Sequence, residues 1–227
     1  SCMLNNCTLT GNSAGTEGGG AFSCTLYNCI IYYNFGGNYD PSTTLNYCCT
    51  WPLPAAGMGN ISVDPELASA SHLSVLSPCR GAGSVAFATG TDIDGEAWGT
   101  PPSIGCDEYH PGAITGPLSV DIVAAFTNIA VGFQVEFRAV IQGRTTTSVW
   151  DFGDGIPATN QPYASHTWTM PGDYAVVLRA YNDSLPSGIS ATVTVHVVTQ
   201  PVHYVAAGST SPVAPYTSWA RAATNIQ

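Results

Sequence analysis

The chain has 227 residues, 44% hydrophobic and 9% charged, with 15 acidic side chains against 5 basic ones and a formal net charge of −10. That length and apolar content suit one or two domains with a real core and exclude a disordered tail. There is no Lys, so only Arg80, Arg138, Arg144, Arg179 and Arg221 could neutralise phosphates, which excludes nucleic acid as a partner.

No apolar run approaches the roughly 20 residues of a membrane span, and no basic-then-apolar leader precedes the first strand-like segment. The expectation is a soluble chain with no membrane span in this segment, or a mature piece of something secreted. Cys2, Cys7, Cys24, Cys29, Cys48, Cys49, Cys79 and Cys106 all precede residue 107, which suggests two domains of different character. Without a Cys-x-x-Cys pair, or a His near the first six Cys, disulfides or buried free thiols fit better than zinc.

The first hundred residues carry an internal repeat. Ser1-Cys2-Met3-Leu4-Asn5-Asn6-Cys7 aligns with Ser23-Cys24-Thr25-Leu26-Tyr27-Asn28-Cys29 at an offset of 22, and Asn12 falls on Asn34. A period in the low twenties, built from short β-prone runs separated by Asn and Gly, predicts a stack of parallel coils. Equivalent residues would lie about 4.8 Å apart, with Leu4 over Leu26 and Cys7 over Cys29 as inward ladders. Asn6/Asn28 and Asn12/Asn34 read as turn ladders, and Gly18-Gly19-Gly20 as a tight corner.

The chain opens in mid-coil, so the edge at Cys2, Leu4 and Cys7 is expected to be uncapped. The motifs Asn6-Cys7-Thr8-Leu9-Thr10-Gly11-Asn12, Gly18-Gly19-Gly20-Ala21-Phe22, Gly59-Asn60-Ile61-Ser62-Val63-Asp64-Pro65, Leu73 to Ser77-Pro78-Cys79, Thr91-Asp92-Ile93-Asp94-Gly95 and Ile104-Gly105-Cys106-Asp107-Glu108-Tyr109 follow in that order. Together they resemble bacterial surface proteins with a right-handed parallel β-helix of the choice-of-anchor kind. The resemblance implies that residues 1–114 are C-terminal coils with a closing cap, and Cys79 with Cys106 is the disulfide it suggests.

From Gly116 onward Cys vanishes and short alternating apolar segments appear, which argue for an antiparallel sandwich. Trp150-Asp151-Phe152-Gly153-Asp154-Gly155, then His166-Thr167-Trp168, then Pro171-Gly172-Asp173-Tyr174 resemble the PKD domain, an immunoglobulin-like module of extracellular proteins. The resemblance places such a domain at 115–199. Trp150 and Phe152 should face inward, with Asp151 and Asp154 bonding backbone amides in a Gly turn; two carboxylates are few for Ca²⁺.

Residues 200–227 form a linker followed by a new start. Tyr204-Val205 reads as a strand, and Ser218 as the N-cap of a short helix with Trp219, Ala222, Ala223 and Ile226 on one face. This resembles the first strand and capping helix of another β-helix. The fold class is therefore all-β, apart from that helix.

The segment 1–110 pairs nine acids, Glu17, Asp40, Asp64, Glu66, Asp92, Asp94, Glu96, Asp107 and Glu108, with Arg80 as its one strong base. Lyase chemistry lacks its base, so no enzyme is expected. No cofactor is expected either, calcium at Asp92 to Glu96 being the alternative to a backbone-bonding turn. The sequons at Asn6, Asn60 and Asn182 are glycosylation candidates.

The reading is an extracellular or cell-surface structural protein, a unit of a covalent array or of a linear fibre. In the fibre, Tyr204, Val205, Trp219 and Ile226 of one copy would dock head-to-tail on Cys2, Leu4 and Cys7 of the next. The alternatives are an adhesin stacking glycans on Tyr32, Tyr33, Trp51 or Tyr163, and a polysaccharide-cleaving enzyme.

Overall fold

The structure is a computed structural model and describes residues 2–199, 203–214 and 216–225. Regular structure among them is all β, apart from one three-residue 3-10 turn. Strands β1 (Cys2–Asn5), β3 (Cys24–Tyr27) and β5 (Thr44–Asn46) form a parallel sheet in that order, and β2 (Thr8–Leu9), β4 (Ile30–Ile31) and β6 (Cys49–Thr50) form a second. The register pairs Cys2 with Cys24 and Leu4 with Leu26, then Leu26 with Leu45.

The 22-residue step thus continues into a third rung by a step of 19, which the two-copy alignment does not contain. Three residues are lost between rungs, and Tyr47 replaces the corner Asn.

That corner explains the repeated sequence. Asn6, Asn28 and Tyr47 each hold a left-handed backbone, with φ of 50, 51 and 52°, and turn the chain from one sheet into the other. The Cys that follows each one donates its thiol to the carbonyl two residues earlier: Cys7 to Asn5 at 3.2 Å, Cys29 to Tyr27 at 3.1 Å and Cys48 to Asn46 at 3.3 Å. Asn34 Oδ1 accepts both the backbone N–H and the side-chain amide of Asn12, at 3.0 and 3.1 Å, so this second Asn pair bonds along the stack. At the glycine corner, a Cβ on Gly19 would stand 2.1 Å from the Phe35 carbonyl, so no larger residue fits beneath the next rung.

Strand alternation divides the apolar side chains between two cores. Leu26, Cys29, Ile31, Leu45 and Cys48 pack between the sheets, with Leu4, Cys7 and Leu9 beside them. Ile30 and Cys49 face the other way, into a core shared with Leu67, Leu73, Cys79 and Ile104. The segment after β6 therefore covers the flank of β2–β4–β6. Below β5 and β6 the chain adds a partial fourth rung: Tyr47 N–H donates to Met58 O at 2.8 Å, and Cys49 bridges Ile61 in parallel.

The second unit is a sandwich. One sheet has the order β12 (Tyr163–Thr167), β9 (Gln134–Gln142), β7 (Ser119–Ala124). The other runs β11 (Ala158–Thr159), β10 (Thr147–Asp151), β13 (Gly172–Asn182), β14 (Leu185–Val198), β8 (Asn128–Ala130). Val135, Phe137, Trp150, Phe152, Trp168, Leu178 and Val195 fill the space between them. Both indoles are satisfied inside it, Trp150 Nε1 donating to Gln161 O at 2.8 Å and Trp168 Nε1 to Phe152 O at 3.1 Å.

Residues 203–225 close on themselves. Val205 bridges Ala223 in parallel, Tyr204 N–H donates to Tyr216 O at 2.8 Å, and the Tyr204 and Trp219 rings meet at 4.7 Å. The expected helix is only the 3-10 turn Trp219–Arg221, and Ser218 makes no side-chain cap bond. The expected shared face divides as well: Ala222 is buried, while Trp219 is 68% exposed.

Candidate functional site: the open strand edge and the joint between the two units

Two features set this molecule apart from a closed domain. The first is the edge of the stack. Among the described residues, strands β1 and β2 are outermost in their sheets, each paired on one side only, to β3 and β4. A parallel strand leaves alternate N–H and C=O groups pointing away from its one partner, and these invite another strand. Cys2 and Met3 are exposed there, Met3 by 67%, while Leu4 and Cys7 remain half-buried over Leu26 and Cys29.

The structure thus brings Cys2, Leu4 and Cys7 together on one edge. It brings Tyr204, Val205 and Trp219 together in the C-terminal segment; Ile226 lies outside the described residues, as does Ser1. Each set rests on its own neighbours.

The second feature is the joint, which sequence reasoning missed. Arg144, in the loop between β9 and β10, reaches into the flanking segment. Its Nε bonds Asp94 Oδ2 at 2.8 Å, its Nη2 pairs with Glu96 Oε2, and its Nη1 donates to the Ala113 carbonyl at 3.0 Å. Val75 N–H donates to Thr146 O at 3.1 Å, Asn160 Nδ2 to Glu66 Oε2 at 3.1 Å, and Asp183 and Ile114 exchange two bonds at 2.8 and 2.9 Å.

Tyr163 packs its ring 5.8 Å from that of Tyr33, against the backbone of Gly11, where a Cβ would stand 2.2 Å from the Tyr163 hydroxyl. The available signal was arithmetic: an Arg in a chain with three times as many acids as bases has many carboxylates to pair with.

The acids considered for catalysis or calcium are occupied in holding irregular backbone. Asp92 Oδ1 accepts the N–H of Asp94 and Glu96 at 3.0 and 2.7 Å, and its Oδ2 accepts that of Glu108 at 3.0 Å. Glu108 in turn accepts from Gly99 N, Ser103 N and Ser103 Oγ. Asp40 gathers Ser23, Ser42 and Thr43, and the two hydroxyls hold its carboxyl well below the usual carboxylate range.

Asp107, buried, accepts from Leu73 N–H at 2.8 Å, and burial pushes its carboxyl up to about 6. In the sandwich, Asp151 accepts from Gly153 N–H and Asp154 from Ile156 N–H, as expected of a Gly turn, and Asp154 also meets His166 Nε2 at 2.8 Å. His72, Asp94 and Asp107 form one group that could gather round a cation, and Asp92, Asp94 and Glu96 another, with Arg144 already paired to Asp94 and Glu96.

Cys79 lies in the flank core with Cys49, whereas the Cys106 thiol donates to Ser71 O at 3.4 Å. Burial raises the Cys106 thiol to about 11.

The sequons do not present free amides. Asn6 Nδ2 is buried without a partner, Asn60 Nδ2 donates to Leu45 O, and Asn182 Nδ2 donates to Gly116 O and Arg144 O. Of the four aromatics considered for sugar stacking, Trp51 is exposed, but Tyr32, Tyr33 and Tyr163 pack on one another. Tyr33 also donates to Asp64 at 2.6 Å, and burial with that carboxylate pushes its hydroxyl far up.

Comparison with known proteins bears on the second unit. Residues 119–198 match the family described as the PKD domain. Polycystin-1 of Homo sapiens is 47% identical over 75 residues, 32% of this chain; the chain spans 2% of that protein's length.

Among solved structures, the PKD domain of the human VPS10 domain-containing receptor SorCS2 is 24% identical, with a TM-score of 0.32, over 37% of this chain and 80% of that one. The PKD1 domain of Vibrio anguillarum Epp is 19% identical, with a TM-score of 0.31, over 37% of this chain and 98% of that one. Residues 119–198, with their buried Trp150 and Trp168 and their Gly turn at Asp151 to Gly155, form a PKD domain.

Proposed function

We propose that this chain is a structural segment of an extracellular or cell-surface assembly, not an enzyme. Residues 1–114 are the C-terminal coils of a right-handed parallel β-helix with a flanking cover, 115–199 a PKD spacer, and 200–227 the linker and opening elements of another β-helix. The PKD match supports the extracellular setting. The observation that carries the assembly is the outer edge of β1 and β2, which among the described residues pair on one side, with Leu4 and Cys7 half-buried.

The completing partner is another copy of the chain. Its segment at Tyr204-Val205, with the exposed Trp219, supplies backbone groups for the edge and apolar cover for Leu4. A contact between two different surfaces does not close, so it propagates end to end. The joint then matters mechanically: Arg144, Tyr163 and Asn160 fix the spacer to the stack, so that load passes along one line. The acidic surface keeps neighbouring strands apart.

Sedimentation of the purified chain over a range of concentrations tests this. The chain should grow into open-ended species, whereas a chain lacking 203–227 should remain a single folded monomer. Monomer at every concentration for the intact chain would remove the head-to-tail reading.

A further inference from the structure

We propose that His72, Asp94 and Asp107 bind a divalent transition-metal ion of the zinc class, in the covering segment beside the joint. A ring nitrogen of His72 and one carboxylate oxygen of each aspartate lie within 4.8 Å of one another. The three residues come from separate turns of that irregular segment, so an ion there would clasp it on itself. Asp94 also holds Arg144 of the PKD domain, so the same ion would stiffen the joint.

His72 sets this group apart from a patch of acids. His166 and His196 meet their carboxylates at ordinary hydrogen-bond length, 2.8 and 2.7 Å. His72 Nε2 instead stands 3.4 Å from Asp94 Oδ2, is wholly buried and makes no hydrogen bond. A buried ring nitrogen without a partner is costly. The separation is long for an N–H···O bond. It does match the edge of a coordination tetrahedron: zinc bonds of about 2.0–2.1 Å put two ligand atoms roughly 3.3–3.5 Å apart.

With the ring hydrogen on Nδ1, donated to Ser69 Oγ at 2.9 Å, the Nε2 lone pair faces the carboxylates. Such an arrangement is repulsive unless a cation stands between them. A proton on Nε2 is the alternative, and the experiment separates the two.

Charge favours a metal ion as well. Asp92, Asp94 and Glu96 gather in one group, Asp107 lies beside Asp94, and Arg144 pairs with Asp94 and Glu96. Four carboxylates against one guanidinium leave an excess of three negative charges. Asp92 turns both oxygens to backbone N–H groups and Glu96 is paired with Arg144, so His72, Asp94 and Asp107 are the ligands left. A carboxylate has lone pairs enough to serve Arg144 and an ion at once, the guanidinium then orienting the ligand. One imidazole with two carboxylates suits zinc and leaves a fourth position to water. Calcium wants oxygens, about six to eight of them.

The purified full chain is stripped with a chelator, dialysed at neutral pH and titrated calorimetrically with zinc chloride, and separately with calcium chloride. The expected result is one zinc per chain, with far weaker uptake of calcium. Cobalt chloride in place of zinc should give the intense visible absorption of a tetrahedral site. Ser69→Ala, which removes the hydroxyl behind the ring, should weaken zinc by about 10- to 100-fold, and His72→Gln or Asp107→Asn by about 100-fold or beyond. His196→Gln should leave the affinity unchanged.

No zinc on the wild type, zinc held equally by His72→Gln, calcium held as tightly as zinc, or the pale spectrum of octahedral cobalt would overturn the assignment. The cobalt spectrum of the wild type decides even if a variant fails to fold, and it is read independently of whether the chain forms fibres.

Discussion

In the sandwich, the chain that makes the core also closes it. Trp150, Trp168 and Phe137 are enclosed by two sheets drawn entirely from residues 119–198. The stacked rungs at 2–50 are different: their flank is covered by an irregular segment held through carboxylates, and β1 and β2 are each paired on one side among the described residues. A closed antiparallel core is self-sufficient; a parallel stack is a surface that asks for its next member. The two units should therefore respond to different insults.

The largest effect should come from the sandwich core. Trp150→Ala removes a fully buried indole and its bond to Gln161, and should cost about 3–5 kcal/mol of that unit's stability. Denaturant unfolding followed by tryptophan fluorescence and hydrogen exchange would show the sandwich lost while the backbone of 24–50 stays protected; joint collapse would mean the two cores are one.

The converse change is Asp92→Ala, which strips three backbone N–H groups of their acceptor and should cost the covering segment roughly 2–4 kcal/mol. Exchange of the Glu96 and Glu108 amides should rise while the sandwich is unmoved.

Arg144→Ala addresses the coupling itself. The ion pairs are partly exposed, so about 1–2 kcal/mol is expected, seen as independent rather than joint tumbling of the units in NMR relaxation.

The smallest effect is one of pH. Burial has raised Asp107 from its ordinary value of 3.8 to about 6, so the folded form takes up a proton between those values that the unfolded form does not. The stability of the stack should rise by about 1 kcal/mol as pH falls from 7 to 5, and Asp107→Asn should remove that dependence.

How far the sequence could be read follows the same division. The PKD sandwich was legible because local signals suffice for it: alternation places Val135, Phe137 and Ala139 inward, and the Gly turn after Trp150 needs no distant partner. The first two rungs were legible because Asn6 and Asn28 share both a corner and a side chain. The third was hidden, since Tyr47 holds the same left-handed backbone without looking like Asn.

The flank cover and the joint lay beyond reach for another reason. Asp107 to Leu73, Asn160 to Glu66 and Tyr163 to Gly11 join residues 34 to 152 positions apart, and no periodicity encodes such pairs. The Cys79–Cys106 pairing came from the resemblance alone, which supplies two cysteines but not the place each one occupies: Cys79 lies in the flank core and Cys106 turns to Ser71.

Electron micrographs of the purified intact chain bear most directly on the claim that one copy's C-terminal segment completes the next copy's outer rung. The account predicts unbranched fibres with an axial repeat of one such unit, absent when residues 203–227 are removed. Discrete single particles from the intact chain at every concentration, or fibres that persist without 203–227, would contradict it.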